Sequence, residues 1–385
     1  MTPILSDDLL GRIHDRAAGY DRDNVFFTED LAELAEAGYL RALVPTELGG
    51  LGLSLTELAH EQSRLAAAAP ATALGINMHL VWTGVATTLH DRGDHSLDVV
   101  LTEAAAGEIF AFAISEPGND LMLFGSTTDA RPLDDGGYAM TGTKIFTSLS
   151  PVWTRLGLFG LDSTSADAPK LVHGFVTRDT AGTDGPGIRV IEDWDTIGMR
   201  ASQSNTTRLD GAVVAADRVV RRLDPGPSAD PLIFAIFANF EILIAAVYAG
   251  IGARALELAV ASARGRTSAR TGLTKDRDPN TRWKIAEAAL ALDALQPQID
   301  ALAGDIDGQV DRGSDWFRAL VGVKTQATRT ARFVVEQAVA VAGGAAFSNS
   351  SELGRLCRDV LAGGFHPSNE DSAHSTVATA LLGPE

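Results

Sequence analysis

One acidic residue of this 385-residue chain stands inside a long apolar run and is the first candidate for chemistry. Glu241 lies within FAIFANFEILIAAVYAG, residues 234–250. Burial disfavours an ionised carboxylate and raises its pKa unless a partner compensates. In an apolar cleft, such a group can serve as a general base. If it lies at the edge of a helix and pairs with an arginine, its role is structural. Both interpretations remain open on composition alone.

A histidine near the C-terminal end is the second candidate. His366 stands between two glycines and Pro367, which predicts a loop. Polar side chains on loops often contact ligands, so we predict that His366 does so. Three histidines of the N-terminal part, His60, His79 and His90, do not have the spacing of a metal motif. No metal site is therefore expected.

The composition narrows the function classes. The net charge is −18 and the sequence pI is about 4.8, so the chain repels phosphate backbones and nucleic acid is not an expected partner. Cys357 is the single cysteine, which excludes an intramolecular disulfide and a thiolate metal cluster. This usage suits a reducing cytoplasm. The first residues lack the basic and apolar segments of a signal peptide, so a cytoplasmic location is expected.

Two patterns resemble a membrane span and a dinucleotide-binding motif, and we reject both interpretations. The apolar run of residues 231–263 exceeds the roughly 18 residues of a membrane span, but Asn239, Glu241 and Arg254 interrupt it. It predicts the buried helix of a bundle, with no membrane as partner. GIGARA, residues 250–255, matches a dinucleotide fingerprint. Its setting is helical rather than strand and turn, so these glycines predict close helix packing.

The chain divides into three segments, which together position Glu241 and His366 and predict an α+β fold. Residues 1–108 have helical periodicity and form an N-terminal helical domain. Residues 109–222 alternate in the manner of strands between turn clusters, which predicts an antiparallel barrel or sandwich. Residues 223–385 are helical again and predict a C-terminal bundle. The strands are expected at residues 111–114, 137–140, 144–147, 171–176, 188–191 and 207–209.

Four local strings, in this order along the chain, resemble the acyl-CoA dehydrogenase family. ISEP (114–117) resembles the family's "TEP" turn, and GTKIFTS (142–148) resembles "GxKxFIT". Residues 194–200, with Ser202 and Ser204, resemble "G(M/L)RxxxS". Gln337, Gly343, Gly344 and residues 355–359 resemble "Q…GGxG…RxxRD". The resemblance covers most of the chain, and it implies a helical domain, a middle β-domain and a helical bundle.

The resemblance also implies a flavin, FAD or alternatively FMN, between the β-domain and the C-terminal helices. Phe146 would place its ring against the isoalloxazine, Ser148 would offer its hydroxyl to N5, and Ser115 would meet the pyrimidine edge. The further cofactor contacts implied are Thr147, Arg266 at the pyrophosphate, and Gln337, Gly343 and Gly344 at the adenosine end of a neighbouring subunit's cofactor. A homotetramer or homodimer is therefore implied.

The reaction implied first is α,β-dehydrogenation of an acyl-CoA or other acyl thioester. A carboxylate base removes the α-proton while hydride passes to the flavin, and electron-transfer flavoprotein is a typical acceptor. The family's usual base is a glutamate nine positions after the arginine of "RD". That position holds Pro367 here. A minority of members carry the base on a C-terminal helix, where Glu241 falls, so Glu241 is the predicted base.

Two alternatives remain beside the dehydrogenase. Monooxygenases of the same fold, similar to dibenzothiophene monooxygenase, use reduced FMN and O₂ with a separate reductase and carry a histidine at the position of His366. They need no carboxylate base. The third alternative is a non-catalytic flavin-binding or acyl-binding subunit that assists a partner.

Overall fold

The computed structural model of the protein describes residues 3–178 and 184–383. Helices come first along the chain, strands follow, and helices close it, which confirms the α+β acyl-CoA dehydrogenase-like fold class. The α-helices of the N-terminal segment are α1 (Asp7–Asp23), α2 (Thr28–Glu36), α3 (Leu55–Ala68), α4 (Pro70–His90) and α5 (Asp98–Ala105).

Local sequence signals start the two central helices of this segment. Ser54 caps α3 by accepting from the backbone N–H of Glu57, whose side chain accepts in turn from the Ser54 N–H. This reciprocal capping box satisfies two donors that a helix start otherwise leaves without partners. Pro70 opens α4, where its fixed φ suits the first helical turn. The helix α4 is buried along nearly its whole length, and it forms one wall of the interior.

The middle segment forms one eight-stranded sheet in the order β6-β7-β3-β2-β4-β5-β8, with β1 paired to β4. Its strands are β1 (Phe110–Ala113), β2 (Asp129–Pro132), β3 (Tyr138–Lys144), β4 (Arg155–Asp162), β5 (Lys170–Thr177), β6 (Ile188–Ile191), β7 (Thr206–Val214) and β8 (Val219–Leu223).

Two details of this sheet differ from the sequence predictions. Most neighbours are antiparallel as expected, but β1 and β2 both pair with β4 in parallel. The predicted strand at residues 144–147 is wrong, because β3 already ends at Lys144. Phe146 then adopts φ +56°, a left-handed conformation that a strand does not contain. These residues form a turn that places the Phe146 ring at the surface of the sheet.

The C-terminal segment is a helical bundle built around α6, which packs against α3, α4 and α9. By length and composition, the 35-residue α6 could cross a membrane, but 94% of its most apolar window is buried inside the protein. The structure therefore supports the core-helix interpretation. The bundle contains α6 (Pro231–Gly265), α7 (Pro279–Asp293), α8 (Gln296–Asp307), α9 (Asp315–Ala342), α10 (Glu352–Asp359) and α11 (Glu370–Leu382).

The glycines of the rejected dinucleotide fingerprint lie in the middle of α6. A Cβ on Gly250 would stand 2.1 Å from the Ser63 carbonyl oxygen and 2.8 Å from the Ala66 side chain, both in α3. Only a glycine allows the two helix backbones to approach this closely. The prediction of close helix packing at this string is confirmed.

Candidate functional site

A cavity of about 410 Å³ lies where the β-domain meets the C-terminal helices, and we call it the central cavity. Its walls are apolar and aromatic with a few converging polar groups, the usual character of a small-molecule site. Helix α4 and strand β1 supply one side, and the bundle helix α6 and the chain after α10 supply the other. The lining residues used below are Ser115, Phe146, Ser148, Trp194, Ser204, Phe112, Phe240, Arg358, His366 and Pro367.

The turn after β3 presents an aromatic ring and a hydroxyl to this cavity. The Phe146 ring is 48% exposed and stands edge-on to Trp194, with 6.1 Å between ring centroids. Ser148 is buried, and its Oγ shares a 2.7 Å hydrogen bond with Ser204 Oγ, which shares a second with Ser202 Oγ at 2.8 Å. The hydroxyl chain holds the turn against the segment before β7. An exposed ring beside a fixed hydroxyl suits a flat, polar-edged ligand.

A buried ion pair anchors the same turn from behind. Lys144 Nζ stands 2.6 Å from Glu116 Oε1, and both side chains are fully buried. Glu116 also accepts from the hydroxyls of Ser126 and Thr128 at 2.6 Å each. Burial opposes ionisation of Glu116, but Lys144 and these hydrogen bonds outweigh it and lower the pKa of the carboxyl to about 2. The pair ties the start of the Ser115 turn to the end of β3, so it fixes the two walls relative to each other.

The loop of residues 194–200 closes the cavity from the β-domain side. A Cβ on Gly198 would lie 2.3 Å from the Arg358 carbonyl oxygen in α10, so only a glycine fits there. The next residue, Met199, donates its backbone N–H to Asp359 Oδ1 at 2.6 Å. The Trp194 backbone N–H is held by Asn205 Oδ1 at 3.0 Å, and its indole donates to the Met199 carbonyl. The loop is therefore fixed at both ends, against the sheet and against α10.

His366 lines the central cavity, as the sequence prediction of a ligand contact requires. Its Nε2 lies 2.8 Å from the hydroxyl of Tyr248, in α6. Burial, and next the ammonium of Lys324, lower the pKa of His366 to about 3, so the imidazole is neutral at physiological pH. If Tyr248 donates to Nε2, the ring proton resides on Nδ1. The cavity wall then carries one neutral, oriented imidazole.

Glu241 lies outside the lining of the central cavity. It faces a separate space of about 30 Å³, and the two spaces share the walls Phe112, Phe240 and Pro367. The rings of Phe112 and Phe240 stack with centroids 5.9 Å apart and form part of this partition. The Glu241 side chain is 1% exposed. A substrate in the central cavity meets these rings before it can meet the carboxylate.

The buried carboxylate instead holds the chain beside His366. Glu241 Oε1 accepts a short hydrogen bond from Ser368 Oγ, and Lys324 Nζ donates to the Ser368 carbonyl at 2.9 Å. Burial raises the pKa of Glu241, and the ammonium of Lys324 opposes that rise. Ser368 has φ +55°, a strained conformation that such contacts can maintain. Glu241 thus fixes the tail loop, residues 365–369, from the side opposite the cavity.

The remaining predicted cofactor contacts divide into two places. Thr147 is fully buried between Phe146 and Ser148, and its hydroxyl has no partner among the described residues. Arg266 donates to the carbonyls of Val341 and Ala342 at the end of α9, next to Gly343. Gln337, Gly343 and Gly344 lie on and just after α9. These four residues lie outside the lining of the central cavity. They could therefore contact only a part of the flavin that extends beyond this cavity, or the flavin of another subunit.

Among the described residues, one group has the spacing of metal ligands. His90, His95 and Asp98 bring their ligand atoms within 4.8 Å of one another at the turn between α4 and α5. Asp98 accepts from both rings, at 2.8 Å from His90 Nδ1 and 3.0 Å from His95 Nδ1. The three groups satisfy one another without an ion, and they lie away from the central cavity. We assign no metal to them.

The residues present fit a bound flavin. Phe146 offers a half-exposed ring, Ser148 a hydroxyl held in place by Ser204, and Thr147 a buried hydroxyl without a partner in the described part of the chain. Ser115 lies opposite, half-buried, with its carbonyl held by the Ile145 N–H at 2.9 Å. An exposed aromatic ring flanked by hydrogen-bonding groups matches an isoalloxazine, which is apolar on its faces and polar along its pyrimidine edge.

Tyr248 and Lys324 are site residues that the sequence reasoning missed. Tyr248 follows Glu241 by seven positions in α6, which is two helical turns, so both side chains lie on one face of that helix. Each contacts the tail loop, Tyr248 at His366 and Glu241 at Ser368. This spacing was available in the sequence as a signal. Lys324 gave no such signal, because nothing local indicates that α9 would bring it beneath the loop.

Two family models match the chain. The acyl-CoA dehydrogenase N-terminal domain matches residues 10–97, and the acyl-CoA dehydrogenase C-terminal domain matches residues 242–370. Together they span more than half of the chain, and they include α4 and residues 242–265 of α6. The predicted resemblance to this family is therefore confirmed.

Two of the similar proteins have names that refer to amines. L-evernosamine nitrososynthase of Micromonospora sp. is 29% identical over 366 residues, covering 93% of this chain and 84% of the relative. Isobutylamine N-hydroxylase of Streptomyces viridifaciens is 26% identical over 337 residues, covering 86% and 83%. Both are similar to this chain over most of their length.

A solved structure is similar over nearly the whole chain. KijD3 in complex with FMN and dTDP-3-amino-2,3,6-trideoxy-4-keto-3-methyl-D-glucose matches with a TM-score of 0.85 and 27% identity, covering 98% of this chain and 92% of that one. The expectation of a flavin cofactor, FAD or FMN, agrees with this relative and with the family models. The chain belongs to the acyl-CoA dehydrogenase family and is a flavin-dependent oxidoreductase.

Proposed function

We propose that this protein is a flavin-dependent monooxygenase that oxygenates an amine nitrogen of its substrate, with reduced FMN supplied by a separate reductase. A monooxygenase that uses reduced FMN and a separate reductase is the alternative that the sequence analysis gave beside dehydrogenation, whereas the amine nitrogen is new to the proposal. One observation carries the proposal: the central cavity exposes His366, whereas Glu241 lies behind Phe112 and Phe240. The activities assigned to the two amine-oxidising relatives support it.

The position of Glu241 weakens the dehydrogenase alternative. A general base must come within about 3 Å of the proton that it removes, directly or through one water. Glu241 is bonded to Ser368 and faces a space of about 30 Å³, too small for an acyl chain. Asp195 does line the central cavity, but its side chain is 87% exposed and paired with Arg200 at 3.0 Å. A solvated carboxylate of this kind lacks the desolvation that strengthens a base.

Monooxygenation does not need a carboxylate base. When bound, the reduced flavin would supply two electrons to O₂, so that one oxygen atom enters the substrate and the other leaves as water. The chain's part is to bind the substrate, exclude bulk water and place one proton donor or acceptor. A neutral His366 held by Tyr248 can exchange a single hydrogen bond without bringing charge into the cavity. Its Nδ1 is the atom that would hold or deliver a proton.

The apolar walls also suit an amine as the reacting group. An amine attacks oxygen through its lone pair, which exists only in the deprotonated form. Burial among Phe112, Phe240 and Phe146 disfavours the charged ammonium and lowers the amine pKa. The cavity would therefore bind amines in their reactive form. This physical effect is independent of which amine the enzyme uses.

Several expectations stay as parts of the proposal. Ser115, Phe146, Thr147 and Ser148 would contact the isoalloxazine. Arg266 would contact the pyrophosphate if the cofactor is FAD, and Gln337, Gly343 and Gly344 would contact the adenosine end of the cofactor of a neighbouring copy, in a homodimer or homotetramer. A cytoplasmic location would supply the reductant. An acyl thioester and electron-transfer flavoprotein would be the partners only if the dehydrogenase alternative held.

The decisive test supplies both sets of reactants to the purified protein. With FMN, NADH and a flavin reductase, we expect isobutylamine to be converted to a product one oxygen atom heavier by mass spectrometry. Enzyme heated to unfolding serves as the control for oxidation by released peroxide. Anaerobic bleaching of the bound flavin by an acyl-CoA, with no amine oxygenation, would overturn the proposal in favour of dehydrogenation. A protein that binds neither FAD nor FMN would favour the third alternative, a non-catalytic subunit.

A further inference from the structure

A second cavity adjoins the central one and is lined by arginines, and we call it the arginine cavity. Its volume is about 990 Å³, more than twice that of the central cavity. Helix α1, the loop of residues 194–200 and the start of α10 form its walls. The two cavities share four lining residues, namely Asp195, Thr196, Ile197 and Arg358. A ligand longer than the central cavity can therefore extend into the arginine cavity without crossing the protein interior.

Most of the charges around the arginine cavity are already paired. Arg358 forms an ion pair with Asp21, Arg200 with Asp195, and Arg22 with Asp23. Glu352 is held by Arg254, which lies outside the lining, at 2.8 Å. These pairs leave little free charge on the walls. The lining therefore does not attract anions unselectively. This agrees with the acidic character of the chain, whose net charge is −18.

Arg355 differs from the other arginines of this cavity. Its side chain belongs to a residue only 5% exposed, and its Nε has no hydrogen-bond partner among the described residues. An arginine is always ionised, so a buried guanidinium without a partner is costly unless something else accepts its protons. Asp359, one turn further along α10, partly balances its charge. The Arg355 Nε–H nevertheless remains without an acceptor among the described residues.

We propose that the arginine cavity binds a phosphate or diphosphate group of a ligand whose reacting end lies in the central cavity, with Arg355 as its main contact. A guanidinium presents paired donors that match phosphate oxygens in a bidentate manner. Ser350 and Ser351 add hydroxyls beside it at the start of α10, and the first turn of that helix supplies backbone N–H groups. The inference rests on the proposed function only in taking the reacting group of the ligand to be an amine.

Two molecules could bring this group. The phosphate could belong to the substrate, as in a nucleotide-linked amine, or to the flavin itself. The chemistry of recognition is the same, so the experiment must separate the sources. Inorganic pyrophosphate serves as the probe, because it carries the anion without either attached group.

The test compares Arg355→Met with Arg332→Met, which removes an exposed arginine paired with Glu336 on α9. We expect saturable pyrophosphate binding by calorimetry in the wild type and in Arg332→Met, weakened at least tenfold in Arg355→Met. The melting temperature of Arg355→Met checks that the variant folds, because the substitution also removes a charge that partly balances Asp359. Equal pyrophosphate affinity in all three proteins would overturn the inference.

Flavin titrations identify the source of the phosphate. If the phosphate is the substrate's, Arg355→Met binds FMN as tightly as wild type, and pyrophosphate does not displace FMN. If it is the flavin's, the variant loses FMN affinity but keeps riboflavin affinity. These binding measurements need no turnover. Failure of amine oxygenation with intact pyrophosphate binding would therefore contradict the proposed function and leave the anion site standing.

Discussion

The two sides of the tail loop hold the two titratable residues that the sequence singled out, and they differ in what they can reach. His366 faces a cavity of about 410 Å³, whereas Glu241 faces one of about 30 Å³ and bonds to Ser368. Burial shifts both pKa values toward the neutral form, lowering that of the histidine and raising that of the acid. A shifted pKa therefore does not mark a catalytic group unless a ligand can also reach it.

Replacing His366 should have the largest effect on turnover. We expect His366→Asn to lose about 100-fold in the rate of amine oxygenation, in the range typical for removal of a general acid or base. Flavin affinity should change little, because the imidazole contributes a proton, whereas Phe146 and Ser148 would provide the contacts to the flavin. Turnover is measured as product formation under saturating FMN, with His374→Asn, an exposed histidine of α11, as the matched control. A variant as fast as wild type would remove His366 from the reaction.

Replacing Glu241 should have a smaller effect on turnover and a visible effect on stability. We expect Glu241→Gln to keep oxygenation within about tenfold of wild type, which corresponds to ~1.4 kcal/mol, and to lower the melting temperature. The reason is that the glutamine amide brings an NH2 group into a buried space where the carboxyl accepted a short hydrogen bond from Ser368. A loss of 100-fold or more at unchanged stability would restore the carboxylate as the base and reverse the comparison. Glu257→Gln, on the exposed side of the same helix, is the control.

His173 sharpens the comparison, because burial lowers its pKa to about 3 although it lines neither the central cavity nor the space beside Glu241. Its ring stacks on Phe159 with centroids 5.2 Å apart, and neither ring nitrogen has a partner among the described residues. The folded state keeps this ring neutral while the unfolded state binds a proton below its ordinary pKa of 6.5. The stability contributed by the neutral ring is thus present above pH 6.5 and is lost as the pH falls toward 3.

We therefore expect His173→Leu to change the pH dependence of stability and not the turnover. From pH 7 to pH 5, the wild type should lose about 2 kcal/mol of unfolding free energy through this group, and the variant should lack that loss. Urea unfolding at the two pH values measures it, with His60→Leu as the exposed control. An equal pH dependence in wild type and His173→Leu would show that the ring is already protonated in the folded state.

The sequence predicted the order of helices and strands because their periodicities are local. It also predicted that Glu241 is buried and that His366 lies on a loop. An acid in an apolar run and a histidine between glycines and a proline can both be recognised from adjacent residues, without knowledge of tertiary contacts. It could not tell on which side of the tail loop Glu241 lies. That depends on Phe112 and Phe240, which are 128 positions apart in the chain and stack only after folding.

The turn at Phe146 shows the same limit at shorter range. Alternation of residue types continues from β3 through residue 147, so periodicity alone extends the strand. The strand ends at Lys144, whose buried ammonium pairs with Glu116 and donates to the Phe159 carbonyl at 2.7 Å. The chain beyond Lys144 turns away from the sheet. Partners 28 positions apart along the chain decide this geometry, and no local pattern reports them.

The loop of residues 194–200 has a consequence for how this enzyme could change its substrate range. Trp194 and Gly198 are fixed, one by hydrogen bonds to Asn205 and Met199, the other by the close approach of the Arg358 carbonyl. Between them, residues 195–197 border both cavities, and Ile197 is 66% exposed. Mutations at these three positions would reshape the passage between the cavities while its ends stay in place. Selection for a longer or bulkier substrate can act there at little cost to folding.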